Sequence, residues 1–143
     1  ARFLAEHGYA KNVKSVFKKY LVKGKPGYVS HQWASLSDAV GWICGSGGKA
    51  VIAHPARYKL GKNLLNELLL EFCALGGSGL EVITASHTPE QSLIFAQHAN
   101  RMNLLASCGS DFHGPKESYF DLGRMPEFPI ECMPIWHDWD RRI

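Results

Sequence analysis

From Phe3 onward, apolar side chains recur at three- and four-residue steps: Phe3, Leu4, Val13, Val16, Phe17 and Leu21. That period predicts helix up to about Trp33, interrupted by a turn at Gly24-Lys25-Pro26-Gly27. The pattern then changes to an alternation of helices and short apolar runs. Ser37 is placed to cap a helix from Asp38 to about Cys44, which ends at Gly45-Ser46-Gly47-Gly48. Ala50-Val51-Ile52-Ala53 reads as a strand running into His54-Pro55. Leu64, Leu65, Leu68, Leu69 and Phe72 form one stripe of a helix that stops at Gly76-Gly77, and Leu80-Glu81-Val82-Ile83 is the next strand. Thr88-Pro89-Glu90-Gln91 combines a capping residue, a proline at the first helical position and a capping box. The helix it opens carries Leu93, Ile94, Ala96 and Met102. Leu104-Leu105-Ala106-Ser107-Cys108 is a third strand, and after Pro115 the prolines 126, 129 and 134 break any long element.

The order is α-β-α-β-α-β. Strands separated by one helix each imply parallel pairing, because a parallel neighbour is reached only by a crossover. In such sheets the ligand crevice lies at the carboxyl ends of the strands. Three segments that can do chemistry are expected there: His54-Pro55-Ala56-Arg57, Thr84-Ala85-Ser86-His87 and Ser110-Asp111-Phe112-His113.

Composition narrows the class. With 143 residues and 45% hydrophobic content the chain can bury a core, so disorder is not expected. No apolar run approaches the roughly 18 to 20 residues of a membrane span, and no basic-then-apolar leader opens the chain, which points to a soluble cytoplasmic protein without a membrane partner. Cys44, Cys73, Cys108 and Cys132 form no C-x-x-C pair, so reduced thiols packed as small hydrophobes are expected. Between Ala1 and Ser37 the basic residues are Arg2, Lys11, Lys14, Lys18, Lys19, Lys23 and Lys25, against one acid, Glu6. That imbalance suits a polyanionic ligand, yet Lys11, Lys14 and Lys18 recur at helical spacing and equally describe a solvated face. The chain opens on alanine and goes directly into a helical pattern, so its true N-terminus is expected upstream.

Asp111 and His113 lie two apart, so in extended backbone both side chains point the same way and can approach one ion. Imidazole with carboxylate suits zinc, manganese or iron(II) better than calcium. An ordinary polar loop is the other reading, and His54 at a neighbouring strand end favours the metal. The remaining histidines read blandly: His7 and His98 face solvent, and His31 and His137 stand beside tryptophans with no second ligand nearby in sequence.

Ala50-Val51-Ile52-Ala53-His54-Pro55, Gly79-Leu80-Glu81-Val82 and Gly109-Ser110-Asp111-Phe112-His113 resemble, in order, the later motifs of the PHP (polymerase and histidinol phosphatase) family. The nearest branch is that of bacterial nucleases and 3',5'-nucleotide phosphatases labelled TrpH or YciV, whose helical insertion also resembles Lys23-Gly24-Lys25-Pro26-Gly27-Tyr28-Val29. The resemblance extends through about Gly123. It implies an α/β fold, the C-terminal part of a distorted (β/α)7 barrel: residues 1–33 part of the helical insertion, 34–123 the C-terminal β/α units, and 124–143 an irregular tail.

By the same resemblance His54, Asp111 and His113 are metal ligands, Asp111 and His113 are catalytic, and His113 also lies close to substrate. The cofactors implied are divalent ions, manganese first, with zinc or iron possible. The substrates implied are 3',5'-nucleoside bisphosphates or short RNA shortened from its 5' end, hydrolysed by metal-activated water. Arg57 is placed to bind phosphate and His87 to touch substrate or leaving group; a surface salt bridge and a polar helix-start residue are their alternatives. Glu81 suits either substrate contact or support of a neighbouring ligand. The family's opening H-x-H motif and early acidic ligands are not in this sequence, so the N-terminal half of the barrel is expected as a partner, with oligomeric state left open. A non-catalytic nucleotide- or RNA-binding fragment with a partial metal site is the alternative.

Overall fold

The computed structural model describes residues 1–114 and 120–139; 115–119 and 140–143, the last part of the expected tail, lie outside the described residues. The chain forms two compact units, Ala1–Ala34 and Ser35–Ile143.

In the first unit the expected long helix is broken into α1 (Arg2–Glu6), α2 (Val13–Val16) and a π-helical turn (Phe17–Leu21). The break has a local cause. Asn12 accepts the Ser15 N–H at 2.9 Å while Ser15 Oγ accepts the Asn12 N–H at 3.0 Å, a capping box that starts a new helix. From Val22 the backbone is extended or turned rather than helical, which shortens the helix expected to reach Trp33.

In the second unit α3 spans Leu36–Gly45, and its cap is Ser35 instead of Ser37: Ser35 Oγ accepts the Asp38 N–H at 3.0 Å and donates to the Asp38 carboxylate at 2.7 Å. Then follow β1 (Val51–Ile52), a 3-10 turn (Pro55–Tyr58), α4 (Lys62–Ala74), β2 (Gly79–Thr84), α5 (Pro89–Arg101) and β3 (Leu105–Gly109). Gly76, at φ 97°, ends the run behind α4, where a side chain would be strained. Thr88, Pro89 and Gln91 form the capping box expected of them.

The strands pair in parallel in the order β1-β2-β3, as their crossover helices require. Strand β2 is central and buried almost throughout, and α5 packs on β2 and β3. The core joins Val40, Leu69, Phe72, Leu80, Val82, Phe95, Ala96, Ala99 and Ala106. Leu64, Leu93 and Ile94, counted on apolar helix faces by period, are 57%, 59% and 48% exposed. The tail takes a place the sequence pattern did not show. Met133 O accepts the Ala106 N–H, and the Ile135 N–H donates back to Ala106 O, both at 2.8 Å, so the tail extends the sheet beyond β3 and buries Cys132 and Ile135. All four cysteines are free; Cys132 is buried as expected, whereas Cys44 is exposed and directs its thiol to Gly76 O at 3.6 Å. Among the described residues no helix is long and apolar enough to cross a membrane.

Candidate active site

All three strands point the same way, so the segments that leave them emerge at one edge of the sheet. After β1 the backbone enters the left-handed region at His54 (φ 34°, ψ 56°), a conformation histidine tolerates better than most residues. Buried Pro55 opens the 3-10 turn, and Tyr58 Oη closes it by donating to Ala53 O at 2.8 Å. The Tyr58 ring stands edge-on to His54 at 6.0 Å.

The second anchor of this turn comes from β2. The Glu81 carboxylate accepts the His54 backbone N–H at 2.5 Å. A register shift between Glu81 and Ile83 leaves Val82 bulged from the ladder with β3, and the Val82 carbonyl is taken by His87 Nδ1–H at 3.1 Å. Strand β3 makes room for Glu81 by ending in glycine: a Cβ on Gly109 would lie 2.8 Å from Glu81 Oε1. Burial pushes the Glu81 carboxyl above its ordinary value; the His54 amide bond and ring pull it back, and the Asp111 charge raises it further. Glu81 thus feels both His54 and Asp111.

From the third segment, Asp111 also adopts a left-handed backbone (φ 49°). Arg57 Nη1 donates to Asp111 Oδ2 at 3.2 Å, an ion pair that ties the first segment to the third. His113 Nδ1–H donates to Asp111 O at 2.6 Å and lies 3.7 Å from Asp111 Oδ1, which places the neutral ring's lone pair on Nε2. Two non-glycine residues at positive φ on one edge are the kind of strain that gathers at functional sites.

The structure therefore links His54, Arg57, Glu81 and Asp111 at one end of the sheet, with His113 beside Asp111. His87, expected to touch substrate or leaving group, is held by three contacts within the chain. Its Nδ1–H donates to Val82 O, its Nε2 accepts the Ala56 N–H at 3.5 Å, and its ring stacks on Phe95 at 4.9 Å. Burial, which opposes charge, holds its pKa below the usual histidine value, and its contacts bridge two segments. Arg57 realises the salt bridge named as its alternative. Tyr58 was missed by sequence reading, since a tyrosine in a turn carries no signal of what its hydroxyl will reach. His98, expected in solvent, is half-buried and accepts from Arg101 at 2.9 Å, and burial lowers its pKa.

The donor set fits a divalent ion in kind. His54 Nδ1 is buried with no hydrogen-bond partner, an expensive state for a polar atom unless something else engages it, and Asp111 supplies carboxylate oxygen nearby. In number it is short: among the described residues no group of three or more His, Cys, Asp or Glu side chains is arranged to hold a metal.

No protein-family model matches the chain. Over all 143 residues it is 54% identical to a 3',5'-nucleoside bisphosphate phosphatase of Chromobacterium violaceum and covers 50% of that protein. It is 41% identical over 141 residues to the 5'-3' exoribonuclease Rnm of Salmonella typhimurium, covering 99% of this chain and 48% of the relative. These relatives are phosphoester hydrolases. Among solved structures, an amidohydrolase from Chromobacterium violaceum with bound sulfate superposes with a TM-score of 0.82 at 55% identity, over 94% of this chain and 46% of that one. A Bifidobacterium adolescentis protein assigned to the metal-dependent phosphoesterases gives 0.64 at 28% identity, over 78% of this chain and 39% of its own. The chain spans about half the length of the relatives it matches.

Glu81 lends itself to a direct test. Glu81→Ala is expected to destabilise the chain by about 1–3 kcal/mol, because the His54 N–H loses its acceptor, whereas Glu81→Gln keeps an acceptor oxygen. With its folded-state pKa raised above the ordinary 4.5, Glu81 holds its proton more tightly when folded than when unfolded. Its charge therefore weakens the fold increasingly as pH rises from 4.5 through the folded-state pKa. Glu81→Gln should match wild type below pH 4.5 and exceed it above the folded-state pKa, read as urea midpoints in EDTA. Parallel wild-type and Gln curves across that range would refute the account.

Proposed function

We propose that this chain supplies one side of the active site of a PHP-family metal-dependent phosphoesterase acting on phosphate esters of nucleotides or short RNA. The observation that carries this reading is the junction of His54, Arg57, Glu81 and Asp111 at the carboxyl ends of parallel strands, with a buried, unpartnered His54 Nδ1 among them. The activities named for the relatives give it a reaction class, 3',5'-bisphosphate hydrolysis or 5'-3' exoribonuclease action.

In this reading residues 34–123 are C-terminal β/α units of a distorted barrel, 1–33 belong to a helical insertion, and 124–143 are an irregular tail. His54, Asp111 and His113 hold divalent metal, manganese before zinc or iron, together with ligands from the half of the relatives that this chain does not match. Metal held there would supply an activated water and charge neutralisation at the phosphoryl oxygens. Arg57 occupies Asp111 until an anion arrives, then turns its guanidinium to the phosphate, for which its planar fork of donors is suited. Glu81 and His87 keep the first segment in place while this happens.

The test is reassembly. The 143-residue chain is assayed with manganese against a 3',5'-bisphosphate nucleotide and a short 5'-phosphorylated RNA, alone and after mixing with the unmatched half of the Chromobacterium violaceum phosphatase. Background turnover alone and EDTA-sensitive turnover after mixing are expected. Full turnover by the chain alone would overturn the divided ligand set. A stable complex that binds manganese and nucleotide without turnover would make the chain a binding module.

A further inference from the structure

In the unit Ala1–Ala34 an open cavity of about 490 Å³ is lined by Tyr9, Ala10, Lys11, Ser15, Lys18 and Lys19. Three of these six residues are lysines and none is acidic. Ser15, Lys18 and Lys19 stand at i, i+3 and i+4, so they share the helix face that lines the cavity, and Lys14 does not line it. Lys18 and Lys19 belong to the π-helical turn Phe17–Leu21. π-Turns of this kind recur at functional sites.

The cavity wall is also tied in place. Tyr9 O accepts from Lys19 Nζ and from Tyr20 Oη, both at 3.3 Å, which fixes the segment after α1 against the turn ten residues on. Lys19 Nζ sits 5.0 Å from the centre of the Tyr20 ring. The Tyr9 side chain is 57% exposed at the rim. A lysine ammonium has three donors, so Lys19 can hold the wall and still face a ligand.

Three lysines and no acid among the lining residues favour an anionic ligand over a cationic one. An exposed aromatic ring beside them offers a stacking surface for a base. Lysine side chains for the phosphates with an adjacent aromatic ring for a base are what binds a single-stranded nucleic acid without a hydrogen-bond code.

We infer that this cavity binds the phosphodiester backbone of single-stranded RNA, with Lys11, Lys18 and Lys19 on the phosphates and Tyr9 under a base. The inference rests on the phosphoesterase reading for its choice of RNA, and it adds a binding site separate from the metal-ligand residues.

The experiment compares two double variants of equal charge. Binding of a fluorescent single-stranded RNA of about ten nucleotides to the 143-residue chain is followed by anisotropy in EDTA, where no turnover occurs. Lys18→Glu/Lys19→Glu is expected to weaken binding by about 10-fold or more, and Lys14→Glu/Lys23→Glu, outside the cavity, by no more than about 3-fold. The slope of log affinity against log salt should fall by about 1.4 in the first pair, two contacts at about 0.7 each. Tyr9→Leu should cost about 5-fold or more through lost stacking. Lys18→Gln/Lys19→Gln, with far-ultraviolet circular dichroism for both pairs, separates loss of binding from loss of fold. Equal weakening by the two Glu pairs would reduce the lysines to general charge, and an unchanged Tyr9→Leu would remove the stacking; either result overturns the site. If RNA binds through the cavity and the reassembled enzyme never hydrolyses it, the activity proposal fails and the binding site stands.

Discussion

On the proposed function, Asp111→Asn in the reassembled protein is expected to lower turnover by at least about 100-fold, since even residues that only support metal ligands cost 10- to 100-fold when lost. Asparagine is the sharper probe than alanine. Asp111 sits at φ 49°, a left-handed conformation that Asn tolerates and Ala resists by about 1–2 kcal/mol. The ion pair with Arg57 is largely exposed, so its loss removes about 0–1 kcal/mol. Asp111→Asn should therefore melt within a few degrees of wild type while losing activity and manganese affinity. Asp111→Ala should lose the same activity and some stability besides. His113→Ala should behave like Asp111→Asn, because its side chain is 62% exposed and supports no core. Near wild-type turnover by Asp111→Asn at saturating manganese would exclude its carboxylate from the site.

The largest stability effect is expected at Leu80. Its side chain is fully buried on the central strand, with Ile52 and Ala106 as its paired neighbours on either side. Removing it loses the transfer free energy and leaves a cavity that a strand bonded on both edges cannot collapse to fill. Leu80→Ala should cost about 3–5 kcal/mol, a large share of the roughly 5–15 kcal/mol that holds a domain together. Leu64→Ala is the control. Leu64 belongs to the apolar stripe of α4 by period, yet it is 57% exposed, so its truncation should stay within about 0.5 kcal/mol. Urea midpoints decide between them, and a Leu80→Ala loss below that of Leu64→Ala would mean the core is not centred on β2.

Much of the second unit was legible from residues alone, because its signals are local. A capping box acts over three residues, and alternating helices with short apolar strands permit only a parallel sheet. Parallel strands in turn send His54, Arg57 and Asp111 to one edge, so the candidate site could be placed before any coordinates. The first unit was less legible. There a helical period in the lysines competed with the Asn12–Ser15 capping box, and the capping box won.

The sequence by itself determined which elements form from α3 to β3, the direction in which the strands run, and which edge of the sheet carries ionisable side chains. Only the tertiary structure decided what those side chains do. The Glu81 carboxylate on the His54 amide, the Arg57 guanidinium on Asp111 and the Ala56 amide on His87 join residues 27, 54 and 31 positions apart. No local period encodes such contacts: they depend on a bulge at Val82, on the space left by Gly109 and on two left-handed residues, each set by packing between strands rather than along them.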